Sequence, residues 1–238
     1  SEESAEIERM LGVLSEMVSA SAKQLEYCQE ICTMSDIIYS KYAFMIKYNA
    51  IVPRLNNKGY LNLVDARHPL IPSDKVIPVS FSLGKDYKLL LITGPNTGGK
   101  TVSLKTAGLF CLMAYCGIPV PCAAESEVSV YDGIYCDIGD EQSILSSLST
   151  FSSHIVNIKS ITEKITRDSF VLLDEIGGGT DPAEGAALAI GIIKYLELMG
   201  ARGILTTHYG ELKEYAMLSK HIMNACMQFD EETLSPTY

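Results

Sequence analysis

The chemistry most plainly written in this chain is phosphate binding. Gly94-Pro95-Asn96-Thr97-Gly98-Gly99-Lys100-Thr101 sets glycines, a lysine and a hydroxyl at the spacing of a phosphate-cradling loop. Glycines let backbone N–H groups turn inward and come close to phosphate oxygens, and a helix that starts where the loop ends adds its positive pole. In such a loop Lys100 reaches the β- and γ-phosphates and the Thr101 hydroxyl is a ligand for Mg²⁺. The binding segment is expected to run from Gly94 to Val102. The pattern needs a strand before it and a helix after it. Residues 88–93 are a short apolar run that predicts a buried strand. Residues 101–115 read as a helix, closed by Gly117 with Pro119 beyond. That context argues against a chance glycine-rich turn.

A second constellation completes the first. Phe170-Val171-Leu172-Leu173-Asp174-Glu175 is an apolar strand ending in two carboxylates, about 80 residues after the loop. Asp174 is placed to hold magnesium, directly or through water, and Glu175 to orient and polarise an attacking water. A strand ending in Asp-Glu is weak evidence alone; after a phosphate loop it outweighs a solvated acidic strand end. His208 follows Thr206-Thr207 at the end of another expected strand. The carboxyl edge of a sheet is where ligands bind in such folds, so a γ-phosphate sensor is preferred to a purely structural histidine. His68, in Arg67-His68-Pro69, is expected to pack in a turn, and His154 and His221 to be structural. The hydroxyl-rich stretch 146–153 offers N–H and hydroxyl groups to an anion at a helix start, beyond what capping needs. Gly177-Gly178-Gly179 follow the carboxylates after Ile176 and suggest backbone approach to a ligand or a partner subunit, with a flexible loop as the alternative.

These groups need a scaffold, and the pattern supplies one. Strands at 88–93, 169–173 and 203–207, with looser strand alternation over 127–138, are interleaved with helices at 101–115 and 149–165. A further helix opens at Asp181-Pro182, with aspartate as cap and proline in the first turn, and ends at Gly200. Strands alternating with helices predict an α/β fold with a mainly parallel sheet flanked by helices. Residues 1–48 differ. Ile7, Leu11, Leu14, Val18, Leu25, Cys28, Cys32, Tyr39, Tyr42 and Ile46 recur in steps of three and four, with Ser21 and Ser35 at the skipped places. That is a heptad seam on one long helix or a helical hairpin, or an amphipathic helix packed on its own domain. Pro53 and the Asn56-Asn57-Lys58-Gly59 turn mark the boundary, dividing the chain into a helical segment, 1–48, and an α/β domain, 49–238.

Composition narrows the classes. The 238 residues are 47% apolar, enough for one substantial core and a smaller appendage. The seven cysteines are odd in number and contain no Cys-x-x-Cys, which argues against a disulfide framework or a zinc site. No apolar run is long enough to span a membrane and the start lacks the features of a signal peptide, so a cytoplasmic location is expected. The net charge of −10 repels nucleic-acid backbones over most of the surface.

Taken together, the motifs resemble the MutS family of ABC-type ATPases, from about Asp65 to the C-terminus. The stretches that carry the likeness are Asp65-Ala-Arg-His-Pro69, Thr93 through Thr101, Ser149-Thr-Phe151, Leu172-Leu-Asp-Glu175, Gly179-Thr180 and Thr206-Thr-His-Tyr209. The segments 137–143, 148–154 and 179–187 resemble the bacterial MutS-two branch more than the mismatch-repair members. The resemblance implies a P-loop ATPase of the ABC type that uses ATP and Mg²⁺, releases ADP and works as a homodimer with composite sites. In it, each subunit gives its loop to one site and its signature serine, here Ser149, to the other. It further implies Gly179-Thr180 at the dimer contact, His208 as the switch histidine, Asn96 on the γ-phosphate side, and the helical segment as the base of a lever. The family is linked to suppressing recombination on branched DNA and to rescuing collided ribosomes, through regions mostly outside these residues. Nuclease activity is not expected of this chain, because a nuclease-type domain follows the ATPase domain in the branch. Two rivals stand beside this reading. A transporter nucleotide-binding subunit normally carries Leu-Ser-Gly-Gly-Gln where this chain has Leu148-Ser-Thr-Phe151, and a non-catalytic ATP-dependent dimerisation module has no need of Glu175.

Overall fold

The computed structural model describes residues 2–94, 99–139, 147–227, 229–230 and 235–236, with the backbone alone at 147–150 and in the last two short segments. The chain divides into two compact units, residues 1–47 and 48–238.

The first unit is helical: α1 (Glu2–Ala20) and α2 (Ala22–Tyr48). A single residue separates them. Ser21 N–H donates to Val18 O, and Leu25 N–H to Ser21 O, both at 3.0 Å. The second of these is an ordinary helical bond across the break, so no loop remains for a hairpin. No residue of either helix is buried. The apolar stripe therefore lies open, with Leu11 57% and Val18 59% exposed.

The second unit is built on a five-stranded sheet in the order β6-β7-β8-β4-β9. Its strands are β4 (Leu89–Thr93), β6 (Ile134–Asp137), β7 (Phe170–Leu173), β8 (Arg202–Thr207) and β9 (Ile222–Cys226). Every pairing is parallel. A parallel sheet buried on both faces needs apolar residues at consecutive positions, and β4, β7 and β8 are buried throughout. Alternation still sorts them. Leu89, Leu91, Val171, Leu173 and Leu205 join one core with Ile158 and Ile161 of α4 (Ser147–Thr162), Ala189 and Ile193 of α5 (Pro182–Met199) and Leu212 of α6 (Gly210–Leu218). Leu172 faces the other way, against α3 (Lys100–Tyr115), where a methyl on Gly108 would meet Leu172 Cδ1 at 2.5 Å. Each fully buried leucine or isoleucine contributes about 1.5–3 kcal/mol. The expected parallel sheet with helices on both faces is thus present.

A second sheet, in the order β1-β5-β2-β3, is mixed. It comprises β1 (Arg54–Asn56), β2 (Leu61–Ala66), β3 (Val79–Leu83) and β5 (Glu127–Ser129). The region 127–138 therefore divides between two sheets. The pairing of β2 with β3 shifts register between Leu63 and Ala66, where Asp65 has φ 49°. A two-stranded pair, β10 (Phe229–Asp230) with β11 (Ser235–Pro236), completes the elements.

Candidate nucleotide site

The carboxyl ends of β4, β7, β8 and β9 converge, because their registers align Thr93 with Thr207 and Cys226, and Leu173 with Leu205. The strand order also changes direction here. The chain leaves β8 through α6 and returns as β9 on the far side of β4, which opens the kind of crevice where ligands bind in such sheets.

The phosphate-loop residues flank this edge. Gly94 follows β4 with φ 128°, and Gly99 caps α3 at φ 78° with no side-chain cap bond. The left-handed region suits glycine at both places. Gly99 itself offers no side-chain acceptor to the first N–H groups of α3. Lys100 opens the helix. It is 1% exposed, and its ammonium donates to Gly94 O. Burial pulls its pKa down, while Glu175, Asp174 and Cys226 pull it up. The lysine is therefore within electrostatic reach of both strand-end carboxylates. Ser103 Oγ donates to Gly99 O at 3.1 Å, tying the first turn to its cap. Thr101 is half-buried in that turn, and Val102 is 38% exposed. Pro95, Asn96, Thr97 and Gly98 lie outside the described residues.

Asp174 and Glu175 leave β7 under tight control. Asp174 is 8% exposed and its N–H donates to Asp137 O at 2.9 Å. The buried Thr206 hydroxyl serves both residues: it donates to Asp174 Oδ1 at 2.5 Å and accepts from Glu175 N–H at 2.8 Å. Glu175 sits at φ 47°, unusual for a residue with a side chain, and Ile176 N–H returns to Thr206 O at 3.1 Å. The chain then turns through Gly177. A methyl there would lie 2.3 Å from Gly185 O, so α5 and the glycine turn are in backbone contact. Tyr209 Oη donates to Gly177 O at 3.0 Å. Asp181 caps α5 by accepting from Ala183 N–H and Glu184 N–H at 3.0 and 3.3 Å. His208 is exposed at the end of β8, its ring centroid 4.4 Å from that of Tyr209.

Ser149 falls in the first turn of α4, where only the backbone is described. Most of the hydroxyl-rich start before it also lies outside the described side chains. Phe151 of the same helix is against the glycine turn: a methyl on Gly179 would be 3.5 Å from Phe151 Cβ. His68 makes a turn, its Nδ1 accepting from Leu70 N–H at 3.3 Å.

Sequence reasoning passed over three features. His154 donates from Nδ1 to Asp137 Oδ2 at 2.7 Å, and Asn157 Nδ2 donates to Asp137 Oδ1 at 2.8 Å. A cavity of about 400 Å³ borders the loop. Val79 and Phe81 of β3, Cys226, Met227 and Ser103 help line it. Ser103 is bonded to Gly99, and Met227 N–H donates to Thr93 O at 3.2 Å, so the cavity shares its wall with both ends of the loop. The first two features rest on contacts between elements far apart in sequence. The third is lined by residues of β3, β4, α3 and β9, which the sequence scatters from Val79 to Cys226.

Residues 90–238 match MutS domain V. The chain belongs to the MutS family. It is 51% identical over 236 residues to "Endonuclease MutS2" of Caldanaerobacter subterraneus subsp. tengcongensis, and 51% identical over 236 residues to the protein of that name from Clostridioides difficile. To the one from Caldicellulosiruptor saccharolyticus it is 49% identical over all 238 residues. These alignments cover 99–100% of the chain but 30% of each relative, so this MutS-family chain spans about a third of the length of the relatives it matches. No described helix is long and apolar enough to cross a membrane.

Proposed function

We propose that this chain is the ATP-hydrolysing motor domain of a MutS-type protein, with an ABC-type P-loop fold. The observation that carries the reading is that Lys100, bonded to Gly94 at the end of β4, and Asp174 and Glu175, at the end of β7, share the carboxyl edge of the sheet on either side of β8, within electrostatic reach of one another. A buried ammonium, a helix start capped by a glycine and a strand-end carboxylate pair are the parts needed to bind a triphosphate and activate water against it.

The residues fit magnesium. No described cluster of three or more histidine, cysteine or acidic residues forms an all-protein cage. Mg²⁺ does not require one: it takes one or two hard protein oxygens and completes its shell with phosphate and water. Asp174 and the Thr101 hydroxyl are such oxygens. When bound, the ion offsets charge on the phosphates. The protein's own groups do the rest. Lys100 holds the β- and γ-phosphates, and the N–H groups of the Gly94–Val102 segment approach them. Thr206 fixes Asp174 and the Glu175 backbone. The Glu175 carboxylate accepts a proton from the attacking water, which bonds to the γ-phosphorus as the bond to the ADP oxygen breaks. His208 senses the γ-phosphate. The nucleoside enters the cavity beside β3 and β9.

Ser149 is assigned to the site of a second subunit, so ATP closes a homodimer and hydrolysis reopens it. The start of α4 and the Gly179 turn, which lie together, form the partner-facing edge in this reading. The relatives named as endonucleases make nucleic acid the substrate class proposed for the whole protein. Branched DNA and the collided ribosome are the two candidates, engaged through regions beyond this acidic chain.

Phosphate release at saturating ATP, measured against protein concentration with and without Mg²⁺, tests the proposal. Activity per subunit is expected to need Mg²⁺ and to rise with concentration to a plateau. A working monomer, shown by flat activity together with a monomer mass, would remove the composite site.

A further inference from the structure

Beside the strand-end carboxylates lies a polar cluster that the reaction as described does not use. Asp137 ends β6 and is 7% exposed. Its backbone O accepts from Asp174 N–H at 2.9 Å. Both of its carboxylate oxygens are engaged by α4: Oδ2 by His154 Nδ1 at 2.7 Å and Oδ1 by Asn157 Nδ2 at 2.8 Å. Asn157 Nδ2 also reaches Cys136 O at 3.1 Å. A buried carboxylate is costly unless its oxygens are bonded, and here one helix supplies both side-chain bonds. The His154 ring covers Gly139, where a methyl would meet its Cε1 at 2.8 Å. The segment after β6 therefore needs glycine to let the ring in.

The placement gives the cluster a task. Its β6 side is one backbone bond from Asp174. Its α4 side leads, one turn earlier, to Phe151 on the Gly179 turn and to Ser149. Helix α4 is thus tied to β6, whose Asp137 is bonded to Asp174, and touches the Gly179 turn that follows Glu175. We propose that Asp137, His154 and Asn157 form a clamp that positions α4 relative to Asp174 and Glu175, so that turnover depends on it while nucleotide binding to the chain's own loop does not. The inference rests on the ATPase reading and its shared site. His154 is a positioning residue: it acts through α4, which carries the serine assigned to the second subunit's site. A displaced helix leaves Lys100 and its loop intact but misaligns the serine across the dimer. A misplacement of about 1 Å costs as much as 100-fold in rate.

The test uses His154→Ala and His154→Asn in the intact chain. The asparagine side chain offers an N–H where the imidazole Nδ1–H stood. Steady-state kcat is read beside the Kd of a fluorescent ATP analogue. His154→Ala is expected to lower kcat about tenfold or more with Kd held within about twofold, and His154→Asn to recover most of the loss. An unchanged kcat in His154→Ala overturns the clamp. So does a loss of kcat matched by an equal weakening of Kd, or a loss that the asparagine does not mend. A wild-type chain without Mg²⁺-dependent turnover, or one whose rate ignores Glu175→Gln, instead defeats the ATPase reading.

Discussion

At the scale of single residues the site depends on groups that do two jobs. Thr206 is the clearest. Its hydroxyl proton is given to Asp174 and its lone pair taken by Glu175 N–H, so one buried oxygen fixes both carboxylate-bearing residues. Valine has the same shape without either bond. Thr206→Val is expected to cost about 1–3 kcal/mol in a urea titration, because it removes the buried hydroxyl's bond to Asp174 and its bond from Glu175 N–H. It should also lower kcat about tenfold or more while nucleotide affinity changes little. A variant as active as the wild type would show that the hydroxyl does not orient the pair. Lys100, Asp174 and Glu175 could be named as candidates from the sequence because a glycine-rich loop ending in Lys-Thr and a strand-end Asp-Glu each occupy a short stretch. Thr206 and Asp137 were not, since their importance lies in contacts with partners 32 and 17 residues away.

At the scale of elements, legibility followed length and burial. The strands β4, β7 and β8 are buried throughout and carry short apolar runs, and α3 and α5 carry capping or terminating residues that mark their ends. The elements missed are of another kind. Helix α6 has nine residues, β1 three, and β9 mixes Asn224 with apolar neighbours. Short edge pieces gain their stability from pairing and burial, which no local pattern records. Helix α4 begins at Ser147 and ends at Thr162, whereas its apolar spacing continues to Ile165, which is buried beyond the helix in a turn. The open stripe of α1 and α2 makes its own prediction. Cys28 and Cys32 are exposed, as are Cys116, Cys136 and Cys226, whereas Cys111 and Cys122 are buried. An aromatic disulfide reagent is expected to modify five thiols quickly in the native chain and the last two only on unfolding. Slow reaction at Cys28 and Cys32 would mean that the stripe is covered in solution, contrary to the open face described here.

At the scale of the whole molecule, the mixed sheet and the underside of the parallel sheet set the response to alkali. Burial pushes the Cys111 thiol from 9.0 to about 12. Burial foremost pushes the Tyr115 phenol from 10.0 to about 12. It raises Tyr131 further, packed on Phe170 with ring centroids 4.8 Å apart. In each case the unfolded chain gives up its proton first. Above pH 9–10 the folded state therefore holds more protons than the unfolded one, and stability falls as pH rises. The contribution is complete below pH 9 and is lost progressively toward pH 12. Urea midpoints should decline steadily from about pH 9 to about pH 11, with a shallower slope in Tyr115→Phe. A level midpoint over that range would show that these groups do not hold their protons more tightly in the folded chain than in the unfolded one.

If Glu175 activates water against ATP held by Lys100, the rate of Glu175→Gln reports it. The substitution keeps the shape and removes the base. Phosphate release at saturating ATP and Mg²⁺ is expected to fall by about 100-fold or more, with ATP still bound at wild-type affinity. An undiminished rate in that variant would mean a chain that binds a nucleotide without using this carboxylate to cleave it.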